Sequence, residues 1–76
     1  MNNTRRKALR ELAEQIESLR DELESLRDEE DEYRDNMPEN MQSSERYELS
    51  EEASCNMEDA ISNLEDALSS IEEATA

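Results

Sequence analysis

The chain has 76 residues, 23 acidic and 8 basic, for a formal charge of −15, with no Gly, Phe, Trp or His and a single Pro and Cys. That inventory excludes imidazole metal sites, His-based acid/base catalysis and glycine phosphate loops. A chain this short buries only about 60% of its unfolded surface, too little for a core plus an enclosed substrate pocket. Charged residues make up 41%, hydrophobic residues 33%, and mean hydropathy is −1.19. By composition alone such a chain does not collapse. Order has to come from pattern.

The first ten residues carry Arg5, Arg6, Lys7 and Arg10, with no apolar run or cleavage site behind them. No segment approaches the roughly 20 apolar residues of a membrane span. Cys55 has no intrachain partner, which fits a reducing compartment. The expectation is a cytoplasmic protein with no signal peptide.

From Leu9 onward a heptad sets in. Leu9, Leu12, Ile16, Leu19, Leu23, Leu26, Glu30, Tyr33 and Met37 are spaced alternately three and four apart, the a/d register of a coiled coil. Glu-Ser-Leu-Arg-Asp-Glu occurs at 17–22 and again at 24–29, a seven-residue repeat. The first helix is expected over about residues 4–35, with Thr4 as its N-cap. Glu30, at an a position, is the one polar interruption.

Residues 36–44 hold the only proline. Pro38 disfavours helix at Met37 and removes a donor, so the turn belongs there, with Asn36 and Glu39 placed to cap it. Ser43 or Ser44 is the expected N-cap of a second helix over about 45–75, with Glu45 and Glu48 favourable in its first turn.

The second helix repeats the heptad through Tyr47, Ser50, Ser54, Met57, Ile61, Leu64, Leu68 and Ile71. Folding the chain back antiparallel about residue 40 pairs Leu9 with Ile71, Leu12 with Leu68, Ile16 with Leu64, Leu19 with Ile61 and Leu23 with Met57. Continuing, Leu26 meets Ser54, Glu30 meets Ser50 and Tyr33 meets Tyr47. Apolar layers match apolar layers, and the polar interruption of one helix falls on a polar layer of the other. The fold class is therefore all-α: an antiparallel two-helix hairpin occupying residues 1–76 as a single unit. In this register the e positions Arg20, Arg27 and Arg34 flank Glu51, Glu58, Glu65 and Glu72, an expected Arg–Glu ladder that specifies orientation more than stability. The basic start of the first helix lies beside Glu72 and Glu73, where opposite charges offset two unfavourable helix-dipole placements.

Ala53, Ala60, Ala67 and Ala74 recur every seven residues, interleaved with Leu49, Asn56, Asn63 and Ser70. Alanine is a good exposed helix former. Small residues at this spacing also admit a second helix, so the Ala/Asn stripe is an expected self-association surface that closes a homodimeric four-helix bundle. A lone hairpin has little core to offset chain entropy, which favours the second reading.

The outward f positions are all acidic: Glu14, Asp21, Asp28 and Asp35 on the first helix, Glu52, Asp59, Asp66 and Glu73 on the second. Glu17, Glu24 and Asp31 widen the first row. Such rows commonly serve only solubility, yet their density approaches that of a nucleic acid. The surface expected to meet a basic protein partner, in the manner of a DNA mimic, is Glu14, Asp21, Asp28, Asp31, Asp35, Glu52, Asp59 and Asp66. The run Asp28–Glu32 lacks the glycine turn and alternating spacing of an EF-hand loop. Paired carboxylates need a desolvated cleft for acid/base work, and Cys55 has no nearby cation to lower its thiol pKa. The expectation is no enzyme, no cofactor and no metal. Direct binding of nucleic acid or membrane is disfavoured, since the net charge repels phosphate. Tyr33, Met37, Met41 and Tyr47 gather at the turn, either as a plug closing the hairpin or as a recognition tip.

The stretch Asn36-Met37-Pro38-Glu39-Asn40-Met41-Gln42-Ser43-Ser44-Glu45-Arg46-Tyr47-Glu48 resembles the central signature of small acidic proteins encoded in prophages and phages of gut Firmicutes. The opening Thr4-Arg5-Arg6-Lys7 and the Ala-rich second half are similar too, so the resemblance spans nearly the whole chain, and its specific part is the Pro38-centred turn. No activity or functional residue is attached to that group. What the resemblance implies is a phage context, in which small acidic proteins often block host nucleic-acid enzymes.

Overall fold

The computed structural model describes residues 1–76 as two long helices joined by a short connection: α1 (Asn3–Asp35), a 3₁₀ turn (Glu39–Met41) and α2 (Glu45–Thr75). Asn2 caps α1, its Oδ1 accepting from the Arg5 N–H at 2.8 Å. The start thus lies two residues earlier than a Thr4 cap would place it, because the asparagine side chain reaches the third amide of the helix. Ser44 caps α2, its Oγ accepting from the Tyr47 N–H at 3.3 Å and donating to the Met41 carbonyl at 2.6 Å. One hydroxyl thereby ties the 3₁₀ turn to the second helix. The 3₁₀ turn itself follows Pro38 with no side-chain cap, so the expected Asn36–Glu39 capping is not formed.

α1 and α2 pack against each other in antiparallel sense. The molecule measures 60 × 14 × 13 Å with a radius of gyration of 17.4 Å. A compact domain of this length would have a radius of about 11 Å. The hairpin is a rod with a contact layer one helix deep, and its burial shows this. Only Met37, Ser50, Ser54 and Ile61 are buried, and no side chain is fully enclosed.

On α2 the covered positions are the expected a and d residues: Tyr47, Met57, Leu64, Leu68 and Ile71 are half-buried around the buried Ile61. On α1 the covered face is different. The a residues Leu9, Ile16 and Leu23 are half-buried, but beside them lie the e residues Ala13, Arg20, Arg27 and Arg34. The d residues Leu12, Leu19, Leu26 and Tyr33 are 48% to 55% exposed. Helix α1 is thus turned by about 50° from the a/d setting. This corrects half of the expected pairing. Leu12, Leu19, Leu26 and Tyr33 stay about half exposed instead of being enclosed between the helices, while the a residues of α1 are half-buried.

The rotation has a physical counterpart in the arginines. Their side chains are only 15% to 26% exposed, because the methylene stems lie against the hairpin. With e turned inward no guanidinium pairs with an α2 glutamate within 4.0 Å. Arg20 instead pairs with Glu17 and Asp21, Arg27 with Asp28 and Arg34 with Asp31, all within α1. The expected interhelical Arg–Glu ladder is replaced by pairs along one helix, although Arg27 still lies within the field of Glu58.

Candidate functional site

Near the turn the two helices meet through polar groups. Arg34 donates from Nη1 to the Ser54 Oγ at 2.8 Å, to the Ser50 carbonyl at 3.2 Å and to the Ser50 Oγ at 3.4 Å. Its Nη2 donates to Asp31 Oδ1 at 2.9 Å. The serines pass the bonds onward: Ser50 donates to Glu30 Oε2 and Ser54 to Asp31 Oδ1, each at 2.7 Å. Both serines are 4% exposed, and no buried side-chain polar atom lacks a partner. A closed network of this kind is worth more than isolated pairs, because each buried hydroxyl would be costly unpaired. The Ser54 hydroxyl first, and the Arg34 guanidinium second, hold the Asp31 carboxyl below its ordinary range, while Asp31 raises Arg34 in turn.

The expected Glu30–Ser50 layer is present as a hydrogen bond. Arg34 and Asp31 were not legible as members of the network, since they sit at e and b, outside an a/d reading. The signal that could have found them is the pair Ser50 and Ser54 on the apolar face of α2, which demands donors and acceptors from the opposite helix.

The acidic surface residues divide accordingly. Glu14, Asp21, Asp28 and Asp35 on α1, and Glu52, Asp59 and Asp66 on α2, are exposed. Asp31 is not free in the same sense, being bound to Ser54 and Arg34. Asp21 and Asp28 each receive two hydrogen bonds from the preceding arginine, at 3.1–3.4 Å. Those bonds are also the main reason that Arg20 and Arg27 hold their protons more firmly than usual. Glu14, Asp35, Glu52, Asp59 and Asp66 have no cationic side chain within 4.0 Å. Past Arg46, α2 contains no basic residue at all, so its back is an uncompensated row of carboxylates.

The Ala/Asn stripe is also split. Ala53, Ala60 and Ala67 are half-covered at the edge of the helix contact, whereas Leu49, Asn56, Asn63 and Ala74 are exposed. At the turn Met37 is buried, Met41 and Tyr47 are half-buried and Tyr33 stands out, so the plug is made by the methionines and Tyr47. Tyr33, Asn36, Met37, Pro38, Met41 and Arg46 line a shallow hollow there. Cys55 is exposed. No three carboxylate or thiol groups converge as metal ligands would, and no helix is long and apolar enough to cross a membrane.

No family model, curated protein or solved structure matches the chain.

Proposed function

We propose that this chain is a non-enzymatic acidic binding protein whose carboxylate rows engage a basic surface on another protein. The partner class is a nucleic-acid-handling or defence protein of a bacterial host, inhibited by charge mimicry of DNA. The observation carrying this reading is the exposed, unpaired row Glu52, Asp59 and Asp66 on α2, extended by Glu14, Asp21, Asp28 and Asp35 on α1. Along a 60 Å rod the 23 acidic groups fall about one per 2.6 Å, against ~1.7 Å per charge for duplex DNA. Net of the basic residues the spacing is about 4 Å, near the ~3.4 Å of one strand. The resemblance of the Pro38-centred turn to prophage-encoded acidic proteins supports the part of this proposal that sets the activity in phage–host conflict, in the cytoplasm.

A second reading is favoured by a separate observation. The exposed Leu12, Leu19, Leu26 and Tyr33 support a structural or adaptor role, with two hairpins joined as a homodimeric four-helix bundle and the Met/Tyr turn as a contact tip.

The test is a tagged pull-down from host lysate, eluted in a salt gradient and repeated with competing duplex DNA. Under the mimic reading the captured protein is a nucleic-acid enzyme, leaves at moderate salt and is displaced by DNA, because screening weakens charge-driven contacts. Asp59→Lys with Asp66→Lys abolishes capture. A partner that resists salt, ignores DNA and tolerates the reversed charges overturns it.

A further inference from the structure

We infer that the hollow beside the turn, walled by Tyr33, Met37, Pro38 and Met41, seats one apolar side chain of a basic partner segment that carries lysine or arginine on either side of it. This rests on the basic-partner reading above and adds to it a defined apolar contact at the tip of the rod.

The hollow is assembled by the connection between the helices. Tyr33, Asn36, Met37, Pro38, Met41 and Arg46 line about 320 Å³, at the small end of the ~300–1,000 Å³ of sites that hold a guest. Its floor is held before any guest arrives. The Met37 N–H donates to the Arg34 carbonyl at 3.1 Å, and the Met41 N–H to the Pro38 carbonyl at 2.9 Å. The Ser44 hydroxyl ties down the Met41 carbonyl at 2.6 Å. A guest therefore meets a backbone already ordered, which lowers the entropy cost of binding. Met37 and Met41 bring flexible, polarizable side chains that fit themselves to an apolar shape, and Tyr33, 48% exposed, leaves much of its ring open to contact. The depression on the flank of α1 differs in kind: of Glu11, Glu14, Gln15, Ser18 and Leu19, only the leucine is apolar.

Charge selects the guest. Asp35, Glu39 and Glu45 each adjoin a lining residue in the chain, are exposed, and have no cationic side chain within 4.0 Å. Against these three carboxylates stands one guanidinium, that of Arg46, the only basic residue after Arg34. An acidic guest is repelled by this balance, and a purely apolar one leaves the carboxylates unused. An apolar residue set between cations answers both parts of the site. Its side chain fills the hollow while the flanking cations lie over Asp35, Glu39 and Glu45.

Arg46 has a part of its own. It is exposed and has no carboxylate within 4.0 Å. A guanidinium can only donate hydrogen bonds, whereas the Asn36 carboxamide, also lining the hollow, both donates and accepts. These two groups suit the main-chain carbonyl and N–H groups of an extended guest. Its side chains are then read by the hollow and by the carboxylates. Long-range charge brings the partner to the rod, and the apolar contact governs how long it stays.

The experiment titrates two capped peptides into the full chain: phenylalanine between two pairs of lysines, and the same peptide with serine at its centre. Affinity is read by calorimetry and contact by the methionine methyl resonances in NMR. The chain has four methionines, so Met1 and Met57 report on the rest of the molecule. The phenylalanine peptide is expected to bind about tenfold more tightly. It shifts the methyls of Met37 and Met41 and leaves those of Met1 and Met57 in place. Tyr33→Ser with Met41→Ser, its helicity checked by circular dichroism, removes the difference between the peptides and keeps the affinity for the serine one. Asp35→Asn with Glu39→Gln and Glu45→Gln weakens both peptides alike; unchanged affinity in that variant overturns the choice of a cationic guest. Equal affinity of the two peptides for the wild-type chain, with no shift at Met37 or Met41, overturns the hollow and leaves the basic-partner reading intact. Shifts centred on Met57 put the guest elsewhere and overturn the hollow too. Binding of neither peptide at low salt overturns both readings together.

Discussion

The two ends of the rod hold their helices together by different means. In the turn half, Glu30, Asp31, Arg34, Ser50 and Ser54 exchange hydrogen bonds across the contact, with both serines buried. In the open half the contact consists of half-buried aliphatic side chains around Ile61, with no hydrogen bond between the helices. Apolar contacts tolerate a slip of one layer, because any leucine suits any aliphatic neighbour. Directional bonds do not. The difference teaches that register is set at the polar end, and that most of the burial free energy comes from the other.

The comparison breaks most severely with Ile61→Ala. This residue is the most buried aliphatic side chain in α2, and truncation costs about 2–4 kcal/mol in thermal unfolding followed by circular dichroism. A loss below about 0.5 kcal/mol would show that the open half contributes little. Next comes Ser54→Ala, which leaves Arg34 and Asp31 each short of a partner and costs about 1–3 kcal/mol. Its mark is local: amide exchange speeds up around residues 30–34 and 50–54 more than around residues 9–16. Uniform acceleration would mean that the network is not a separate unit.

The smallest effect lies in acid. Asp31 is held below its ordinary range in the folded chain, chiefly by Ser54 and then by Arg34. Its stabilisation is therefore fully present above the unfolded aspartate range and is lost as pH falls through the lower, folded value. Asp31→Asn removes that part of the pH dependence, so the difference in Tm between wild type and variant shrinks below about pH 4. A difference that stays constant with pH would show that the carboxylate charge is not what the network uses.

The sequence-level reading succeeded where period alone decides. Two runs of three-and-four spacing, interrupted once by Pro38, are sufficient for two helices packed against each other, and pairing polar with polar found the Glu30–Ser50 contact. It failed on rotation. A heptad marks an apolar stripe but not which side of that stripe the nearest helix takes, and arginine stems at e compete with leucines at d for the same position. Arg34 shows why this was not legible: its charge argues for solvent, and only Ser50 and Ser54 opposite it explain its place inside. The acidic rows were legible as rows. Asp31's withdrawal from them depends on a hydroxyl 23 positions away in the chain, which spacing along one helix cannot reveal.

The polar network has a consequence in time as well as in space. Its partners are separated by only 16 to 23 residues, whereas Leu9 and Ile71 enclose nearly the whole chain. Loop-closure entropy grows with the length enclosed, so the first encounter between the helices belongs next to the turn. Once Ser54 and Arg34 have met, each further layer closes a loop already almost shut. The order expected from this is closure from the proline toward the free ends and, on warming, fraying in the opposite sense. The segment last to close is the one that carries Arg5, Arg6, Lys7 and Arg10.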